Sequence, residues 1–373
     1  MYKCQRHRGR KYIVKTKTIS IRQAMPGMIV ADDIYNTANQ LVISKGIPLT
    51  DKIITRLKFY SIKELPIILL DKKQDISSII TTASQTQRTK ESAAFKQFHS
   101  AFADSVQSFK GELNKLSSND ANVDVSGLLE HTNSILKNCR NGMHLFDMLH
   151  CMREYDDITY IHSVNVSLLC NVLGSWLKLS TQDLEALTLA GLLHDIGKLT
   201  LPSEIINKQS RLTPSEYVTI KTHTLQGFNM LKNKKLDERI INAALMHHER
   251  CDGSGYPYRL KGAEIDDFAK IIAIVDVYDA MTSARSYRPA LSPFEAISTF
   301  EAEGLQKFDP KFIMVFLNEI VQAYIGNRVL LNNNLEGEVR MINKHALSRP
   351  IIQIGNDFID LSKNHTIEIV SML

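Results

Sequence analysis

The stretch "TQDLEALTLAGLLHDIGKL", residues 181–199, decides the fold of the chain around it. Ser180 or Thr181 can cap the start of a helix, and acidic side chains follow in its first turn. The sequence then becomes apolar, which indicates a buried helix. An adjacent pair, His194 and Asp195, directly follows this apolar run. Burying an imidazole or a carboxylate without a partner costs free energy, so we expect this pair to be hydrogen-bonded or coordinated.

Helical patterns continue beyond this stretch. The run at 269–284, "AKIIAIVDVYDAMTSA", is apolar at helical spacing. Two later helices are predicted to begin at Ser292 and Asp309, because a proline at the first helical position follows each of these capping residues. Strand patterns are almost absent from this part of the chain, so we predict a mainly α domain over residues 142–325.

Three further segments flank this domain. Residues 1–72 indicate a small mixed α/β N-terminal domain, since short β-branched runs alternate with Gly/Pro breaks and one helical stretch follows Thr50. Residues 73–141 are richer in Ser, Thr, Gln and Lys and predict a helical linker. Residues 326–373 have short strand patterns with Asn and Gly turns, which predict a C-terminal β extension.

An apolar stripe marks the predicted linker. Its members recur at intervals of three and four residues: Phe95, Phe98, Phe102, Val106 and Phe109. Such a stripe packs on a neighbouring helix or on a second subunit, so a homodimer through the helical linker is one of two expectations.

Composition is that of an ordinary globular protein. Of 373 residues, 44% are hydrophobic and 23% are charged, with a net charge of +5. The basic opening "MYKCQRHRGRKYIVKTK" could contact nucleic acid or an anionic membrane, but a solvated leader is favoured and no nucleic-acid polymer is expected as a partner. There is no signal-peptide pattern, no apolar run near the about 20 residues of a spanning helix, and no zinc-finger spacing among the five cysteines. We therefore expect a cytoplasmic protein with reduced thiols and no membrane span.

The histidines are the most informative side chains. A single histidine near an apolar stretch is usually a satisfied core residue or a surface residue. Five of the 12 histidines, however, lie with two aspartates in or beside predicted helices of one domain: His162, His194, Asp195, His223, His247, His248 and Asp276. Imidazole and carboxylate are common ligands of Fe, Mn, Zn and Co. These ligands are too many for a mononuclear site and suit two metals that share a bridging carboxylate.

Two motifs in this domain resemble a known family. "HDIGK" at 194–198 is followed by "HHERCDGSGYP" at 247–257, and together they resemble the HD-GYP family, a branch of the HD metal-dependent phosphohydrolases. The resemblance covers about residues 155–312 and implies an all-helical HD-type metallohydrolase domain. It also implies hydrolysis of cyclic di-GMP, a bacterial second messenger, to linear pGpG and in some members onward to GMP.

The resemblance implies roles for individual metal ligands. His162 matches the first ligand histidine of the family, and His194 with Asp195 matches the HD pair. The ligand set is completed by His223, His247, His248 and Asp276.

The resemblance implies substrate contacts as well. Lys198 matches a motif lysine beside the reacting phosphate, and Arg285 and Arg288 match basic positions that hold substrate phosphates. The motif that names the family matches at Gly255, Tyr256 and Pro257. Glycine in this loop is expected to let the backbone adopt strained angles close to a ligand, with the tyrosine and proline shaping the wall of the site.

One position departs from part of the family. Members with three metals have a glutamate four residues before the first ligand histidine, where this chain has Ile158. Glu154 and Asp157 are close by but out of register. We therefore expect two divalent transition metals, Fe or Mn foremost and Zn, Co or Ni as alternatives, and inefficient conversion to GMP.

The expected chemistry uses the shared carboxylate. Two metals bind phosphate oxygens and lower the pKa of a bridging water from about 15.7 towards about 7, so that a metal-bridging hydroxide attacks phosphorus. Asp195 is the expected bridge, and Lys198, on the same side of the helix, stabilises charge on the phosphoryl group. One division of the ligands places His162, His194 and Asp276 on one metal and His223, His247 and His248 on the other.

Two other functions stay open. The same chemistry could act on another cyclic dinucleotide, such as cyclic GMP-AMP, and assays with both compounds would discriminate between these substrates. A catalytically inactive, nucleotide-sensing scaffold is the alternative from a different class. Inactive relatives typically lose HD or GYP residues, whereas this chain retains the whole two-metal set.

Overall fold

The computed structural model describes the chain in separate segments. These are residues 4–7, 10–13, 15–21, 24, 28, 30–32, 34–35, 41–43, 49, 53–54, 57, 62–69, 92–117, 125–139, 142–152, 158–208, 210–283 and 290–373. The chain divides into two compact units, Met1–Thr81 and Thr82–Leu373, each with its own hydrophobic core.

The N-terminal unit contains short antiparallel strand pairs. The pairs are β1 (Cys4–His7) with β2 (Arg10–Ile13), β3 (Lys15–Ser20) with β6 (Glu64–Leu69), and β4 (Ile34–Tyr35) with β5 (Leu41–Ile43). Val30, Leu57 and Leu65 are buried in its core. Residues 53, 54 and 57 are helical, so the described part of this unit mixes both element types, as predicted.

The second unit is mainly helical, which confirms the predicted fold class. Its described α-helices are α1 (Ala93–Ser117), α2 (Val125–Lys137), α3 (Gly142–Cys151), α4 (Ile158–Trp176), α5 (Thr181–Leu193), α6 (Ser203–Ile206), α7 (Pro214–Lys221), α8 (His223–Leu231), α9 (Glu238–Met246), α10 (Asp267–Thr282), α11 (Pro293–Thr299), α12 (Leu305–Lys307) and α13 (Pro310–Ile320). A 3-10 turn, Ile196–Thr200, follows α5, another spans Val321–Tyr324 after α13, and a π-helical turn, Phe300–Gly304, follows α11.

Helices α4, α5 and α10 lie in the middle of this unit. Ser180 caps α5, since its side chain accepts a hydrogen bond from the backbone N–H of Asp183. Every residue from Leu187 to Leu193 is buried, and α4 packs against both α5 and α10. Because these helices are buried on all sides, each polar side chain within them needs a hydrogen-bonding or charged partner. The candidate site forms where such polar side chains meet.

The C-terminal segment forms a five-stranded antiparallel sheet in the order β10-β9-β8-β7-β11. Its strands are β7 (Arg328–Leu331), β8 (Glu336–Asn343), β9 (Ala346–Ile354), β10 (Asp357–Asp360) and β11 (Ile369–Met372). Val339 and Ile352 on its inner face join the helical core. The carboxylate of Glu301 in the π-helical turn accepts a hydrogen bond from the backbone N–H of Leu347 at 2.6 Å, which attaches the sheet to the helices. The predicted β extension is confirmed.

The apolar stripe of α1 is buried within the chain. Phe98, Phe102 and Phe109 belong to the same core as α4 and α5, and the ring of Phe109 meets Tyr160 edge-on at 6.3 Å. Of the two expectations for this stripe, packing on neighbouring helices is the one that these contacts support. The proposed boundaries after residues 72, 141 and 325 and the homodimer through the linker stay predictions.

A membrane span is not found among the helices that the structure describes, because none combines sufficient length with sufficient apolar character.

Candidate metal centre

The predicted metal ligands come from helix ends and from two buried helices. His194 directly follows α5, His223 opens α8 and His247 directly follows α9. His162 and Asp276 come from the interiors of α4 and α10. They meet because α10 packs against α4 and α9, and α8 packs against α9 and the turn after α5.

Asp195 belongs to two clusters of potential ligand atoms, each within a span of 4.8 Å. The larger cluster joins it to His223, His247 and His248. The smaller cluster joins it to His162 and His194. One carboxylate is therefore shared by two groups of imidazoles.

The two oxygens of Asp195 face different histidines. Oδ1 lies 3.3 Å from Nε2 of His223 and 3.7 Å from Nε2 of His247. Oδ2 lies 3.3 Å from Nε2 of His194 and 3.7 Å from Nε2 of His162. This division is the one that a carboxylate bridging two cations requires.

Asp276 supplies a second carboxylate beside the same centre. Its Oδ1 lies 3.1 Å from Nε2 of His162, and its Oδ2 lies 3.9 Å from Nδ1 of His248. The structure thus brings all the predicted metal ligands together, although Asp276 is outside the two tightest clusters.

Backbone carbonyls orient three of the imidazoles. Nδ1 of His194 lies 2.7 Å from the oxygen of Gly191, and Nδ1 of His223 lies 2.7 Å from that of Ile220. Nδ1 of His247 is held in the same way, 3.0 Å from the oxygen of Ala243. A carbonyl can only accept, so each ring carries its proton on Nδ1 and directs the Nε2 lone pair into the site.

Several of these inward-facing atoms lack hydrogen-bond partners. Nε2 of His194 and Oδ1 of Asp195 are fully buried without one. Nε2 of His223 lies 3.3 Å from Nε2 of His247, so two lone pairs face each other. Buried acceptors in this arrangement are costly, and a divalent cation among them would satisfy them all. The residues present therefore fit a metal site.

The electrostatics favour the protonation states that ligands need. Burial alone would raise the pKa of Asp195, but Lys198 and His194 hold it well below its usual range. Burial lowers the pKa of His223 to about 3, and it also depresses the pKa of His247 and that of His248. Neutral imidazoles and an ionised carboxylate are the forms that coordinate metals.

His162 behaves differently from the other rings. Burial would lower its pKa, but hydrogen bonds to Asp276 and Asp279 outweigh this effect and raise the pKa to about 9. Its Nδ1 lies 2.7 Å from Oδ2 of Asp279, while its Nε2 faces Asp276. Without a cation, a proton therefore occupies this position below about pH 9.

Lys198 lies against the shared carboxylate. It is part of the 3-10 turn after α5, and its ammonium forms an ion pair with Oδ2 of Asp195. Its side chain is partly exposed and lines the cavity above the histidines, so it can contact both the centre and a bound phosphate.

Glu249 organises the loop that follows the paired histidines. This buried carboxylate accepts hydrogen bonds from the backbone N–H of Tyr258 at 2.7 Å and of Leu260 at 3.0 Å. Gly255 lies so close to it that a Cβ would be 2.4 Å from the Cα of Glu249. The unusual backbone angle expected of a glycine in this loop occurs at Gly253, which has a φ of 80°. Gly255 is required for close packing within the loop.

Tyr256 forms one wall of the site. Its ring stacks on His248 with centroids 4.7 Å apart and an interplanar angle of 27°. It lines the cavity above the metal ligands and a second cavity of about 480 Å³, which Pro257 and Gly255 also line. The tyrosine thus borders both cavities and packs against His248, one of the predicted metal ligands.

The cavity above the ligands measures about 740 Å³. Its lining includes four predicted metal ligands, His162, His223, His248 and Asp276, and apolar side chains, among them Ile205, Ile206, Leu212, Val277 and Met281. Cationic side chains line it too: Lys198, Lys208, Arg211 and Arg250. A cavity lined by predicted metal ligands, apolar side chains and several cations suits an anionic ligand with flat apolar parts.

Residues 137–312 match the family model described as HD domain. This segment is an HD domain. The match confirms the resemblance that the "HDIGK" and "HHERCDGSGYP" motifs predicted.

The relatives of this HD domain include phosphodiesterases. A cyclic di-GMP phosphodiesterase of Pseudomonas aeruginosa is 33% identical over 61% of this chain and 53% of its own length. A 3'3'-cGAMP-specific phosphodiesterase of Vibrio cholerae is 43% identical over 44% of this chain and 39% of its own length. The chain thus spans about half or less of the length of these relatives. A solved structure of an HDG"Y"P protein from Bdellovibrio bacteriovorus aligns with 83% of this chain and 100% of its own, at 18% identity and a TM-score of 0.45.

Some predicted positions of the HD domain lie outside the described residues. Arg285 and Arg288, the predicted phosphate contacts, are among them, as are Glu154 and Asp157. The side chain of Ile158 is also not described. Their roles stay predictions.

Sequence reasoning missed three polar residues that support the HD domain centre. Asp279 accepts hydrogen bonds from His162 through Oδ2 and from Asn165 through Oδ1, the latter at 3.0 Å. It lies one helical turn after Asp276 and hence on the same face of α10, a spacing that could have identified it. Glu249 is buried and accepts hydrogen bonds from the backbone of the loop, so its role is to hold the loop. Asn165 lies three residues after His162, on the same face of α4.

Proposed function

We propose that this chain hydrolyses a phosphodiester bond of a cyclic dinucleotide in a metal-dependent reaction, with cyclic di-GMP as substrate and linear pGpG as product. The observation that carries the proposal is the division of Asp195, whose Oδ1 faces His223 and His247 while its Oδ2 faces His162 and His194. A shared carboxylate of this kind is characteristic of two-metal hydrolytic sites.

Two sets of residues would hold the cations. Asp195 would bridge, with one group of ligands formed by His162, His194 and Asp276 and the other by His223, His247 and His248. When bound, the cations supply Lewis acidity towards phosphate oxygens and lower the pKa of water at the site. Imidazole-rich sets with carboxylates suit Fe or Mn, with Zn, Co and Ni as alternatives.

The chain's own residues would position the substrate. Lys198 pairs with the shared carboxylate while lining the cavity, so its ammonium can stabilise negative charge that builds on the phosphoryl group. Tyr256 shields the ligand His248 from one side, and the apolar side chains of Val277 and Met281 in the cavity suit a nucleobase. Arg285 and Arg288 are proposed to hold phosphates, as their motif positions imply.

The names of the relatives support a cyclic dinucleotide as the substrate class. Two named substrates occur among them, cyclic di-GMP and 3'3'-cGAMP. The relative named for cGAMP has the higher identity, 43% against 33%, although over a shorter region. Cyclic GMP-AMP is therefore the second candidate substrate of the same reaction.

The test is product chromatography with both dinucleotides. Chain reloaded with Mn²⁺ or Fe²⁺ should convert cyclic di-GMP to pGpG, and Asp195→Asn should reduce turnover by about 10³-fold or more, as removal of a central catalytic group does. Asp357→Asn, an exposed carboxylate in β10, is the matched control and should retain full turnover.

Three results would decide against the proposal or refine it. Turnover that survives Asp195→Asn would exclude the shared carboxylate as the essential bridge. Faster turnover of cyclic GMP-AMP than of cyclic di-GMP would assign the second candidate substrate. Tight nucleotide binding without any turnover, at full metal loading, would assign the inactive nucleotide-sensing scaffold instead.

A further inference from the structure

A cyclic dinucleotide carries two phosphodiester groups in one ring, and only one of them can react at the metal ligands at a time. The other remains a buried or partly buried anion, which costs free energy unless a cation meets it. The cationic side chains that line the 740 Å³ cavity differ in whether each already has a partner.

Three of the four described cations in this cavity are already engaged. Lys198 is paired with Asp195 at the metal centre. Arg250 donates to the backbone oxygens of His247 at 3.1 Å and Glu249 at 2.8 Å. Lys208 forms an ion pair with Glu216, with Nζ 2.7 and 2.6 Å from its two oxygens.

Arg211 is the remaining one. Its side chain is exposed, lines the same cavity, and forms no hydrogen bond or ion pair within the part of the chain that the structure describes. A guanidinium is the side chain best suited to a phosphodiester, because its planar donors match two oxygens at once.

The loop that carries Arg211 is held at both ends by one carboxylate. The carboxylate of Glu216 accepts hydrogen bonds from Lys208, before the loop. It also accepts a hydrogen bond of 2.7 Å from the backbone N–H of Thr213, after the loop. Thr213 in turn caps α7 by accepting from the backbone N–H of Glu216. A loop fixed in this way loses less conformational freedom when its arginine binds a ligand.

We infer that Arg211 binds the second, non-reacting phosphodiester of the cyclic dinucleotide, and that Glu216 positions it. This inference rests on the proposed function and adds a specificity residue to it. Arg211 distinguishes a substrate with two phosphates from one with a single phosphate. Neither residue belongs to the "HDIGK" or "HHERCDGSGYP" motifs, and both are far in sequence from Arg285 and Arg288.

The test separates binding from chemistry in the full-length, metal-loaded chain. Arg211→Gln should raise KM for cyclic di-GMP about tenfold or more, the loss expected for a charge-assisted hydrogen bond, with kcat nearly unchanged. Competitive inhibition by inorganic phosphate, a probe with a single phosphorus, should be unchanged. Arg211→Lys should restore part of the affinity, and Arg340→Gln in the C-terminal sheet is the matched control.

Glu216→Gln tests the positioning role. This substitution should also raise KM. The double variant with Arg211→Gln should have a KM little higher than that of Arg211→Gln alone, because both changes remove the same contact. Fully additive losses would overturn the role of Glu216.

Each outcome has a clear meaning. An unchanged KM in Arg211→Gln would overturn the inference. So would a general defect, in which kcat falls, KM rises and inhibition by phosphate weakens by similar factors. A wild-type chain that binds cyclic di-GMP without cleaving it would overturn the proposed function instead, and the Kd of Arg211→Gln by calorimetry would then decide the inference alone.

Discussion

Nε2 of His223 lies 3.3 Å from Nε2 of His247, and each ring is held by a backbone carbonyl at its other nitrogen. Both carbonyls require a proton on Nδ1, so neither Nε2 can donate to the other while both rings are neutral. Burial depresses both pKa values, which keeps the rings neutral. Two facing lone pairs in a buried site imply a cation between or beside them.

Removal of divalent cations should lower the thermal stability of the chain. A cation present at about 100 times its Kd stabilises the folded state by about 2.7 kcal/mol, which corresponds to several degrees in Tm. Calorimetry of chelated and Mn²⁺-reloaded protein measures the difference. His247→Ala should show a smaller shift, whereas His345→Ala, an exposed residue outside the centre, should match the wild type. Equal Tm values with and without cations would contradict this expectation.

Metal affinity should increase with pH up to about pH 9. The folded pKa of His162 is about 9, above its usual 6.5, so its proton stabilises the metal-free chain fully below pH 6.5 and this contribution is lost as pH rises through about 9. A cation at Nε2 must displace that proton, so affinity should rise by up to about tenfold per pH unit in this window.

Proton release can be measured directly. Metal titration in two buffers of different ionisation enthalpy should show release of about one proton per chain near pH 7. His162→Gln should remove this release. An affinity that is independent of pH between 6.5 and 9 would contradict the assignment of His162 as a ligand.

Asp279→Asn should weaken metal binding without removing any proposed ligand. The carboxylate holds Nδ1 of His162 at 2.7 Å, and loss of such an orienting partner typically reduces metal affinity about 10-fold to 100-fold. Asp267→Asn, which changes an exposed carboxylate in the first turn of the same helix, is the matched control. Metal titration provides the readout, and identical affinities for the two variants would show that Asp279 has no orienting role.

Gly255→Ala should disturb the loop, whereas Gly262→Ala should not. A Cβ at Gly255 would lie 2.4 Å from the Cα of Glu249, but at Gly262 the nearest atom would be 3.5 Å away in Cys251. Overpacking of this kind costs about 1–3 kcal/mol. Thermal unfolding compares the two, with Gly255→Ala expected to unfold at the lower temperature and to turn over substrate more slowly. Equal behaviour would mean that the loop adjusts freely.

Much of the helical architecture was predictable because helix signals are local. The cap at Ser180, the proline-led starts after Ser292 and Asp309, and the apolar run after Leu187 all depend on neighbours within a few residues. The β extension after residue 326 was predictable for the same reason. The stripe of α1 left two partners open, since periodicity identifies a buried face and does not identify what covers it.

The sequence by itself determined the types of side chain in the site: the histidines and aspartates of the predicted helical domain, together with the family resemblance, predicted the imidazoles and carboxylates that could act as ligands. Only the tertiary structure decided which atoms face each other. Three features of the site depend on packing between helices. Asp195 divides its oxygens between two histidine groups, and Asp279 rather than solvent holds His162. Arg211 alone lacks a partner among the four described cations that line the cavity. Spacing along the chain fixes the face of a helix, whereas contacts between residues more than 100 positions apart depend on how the helices cross.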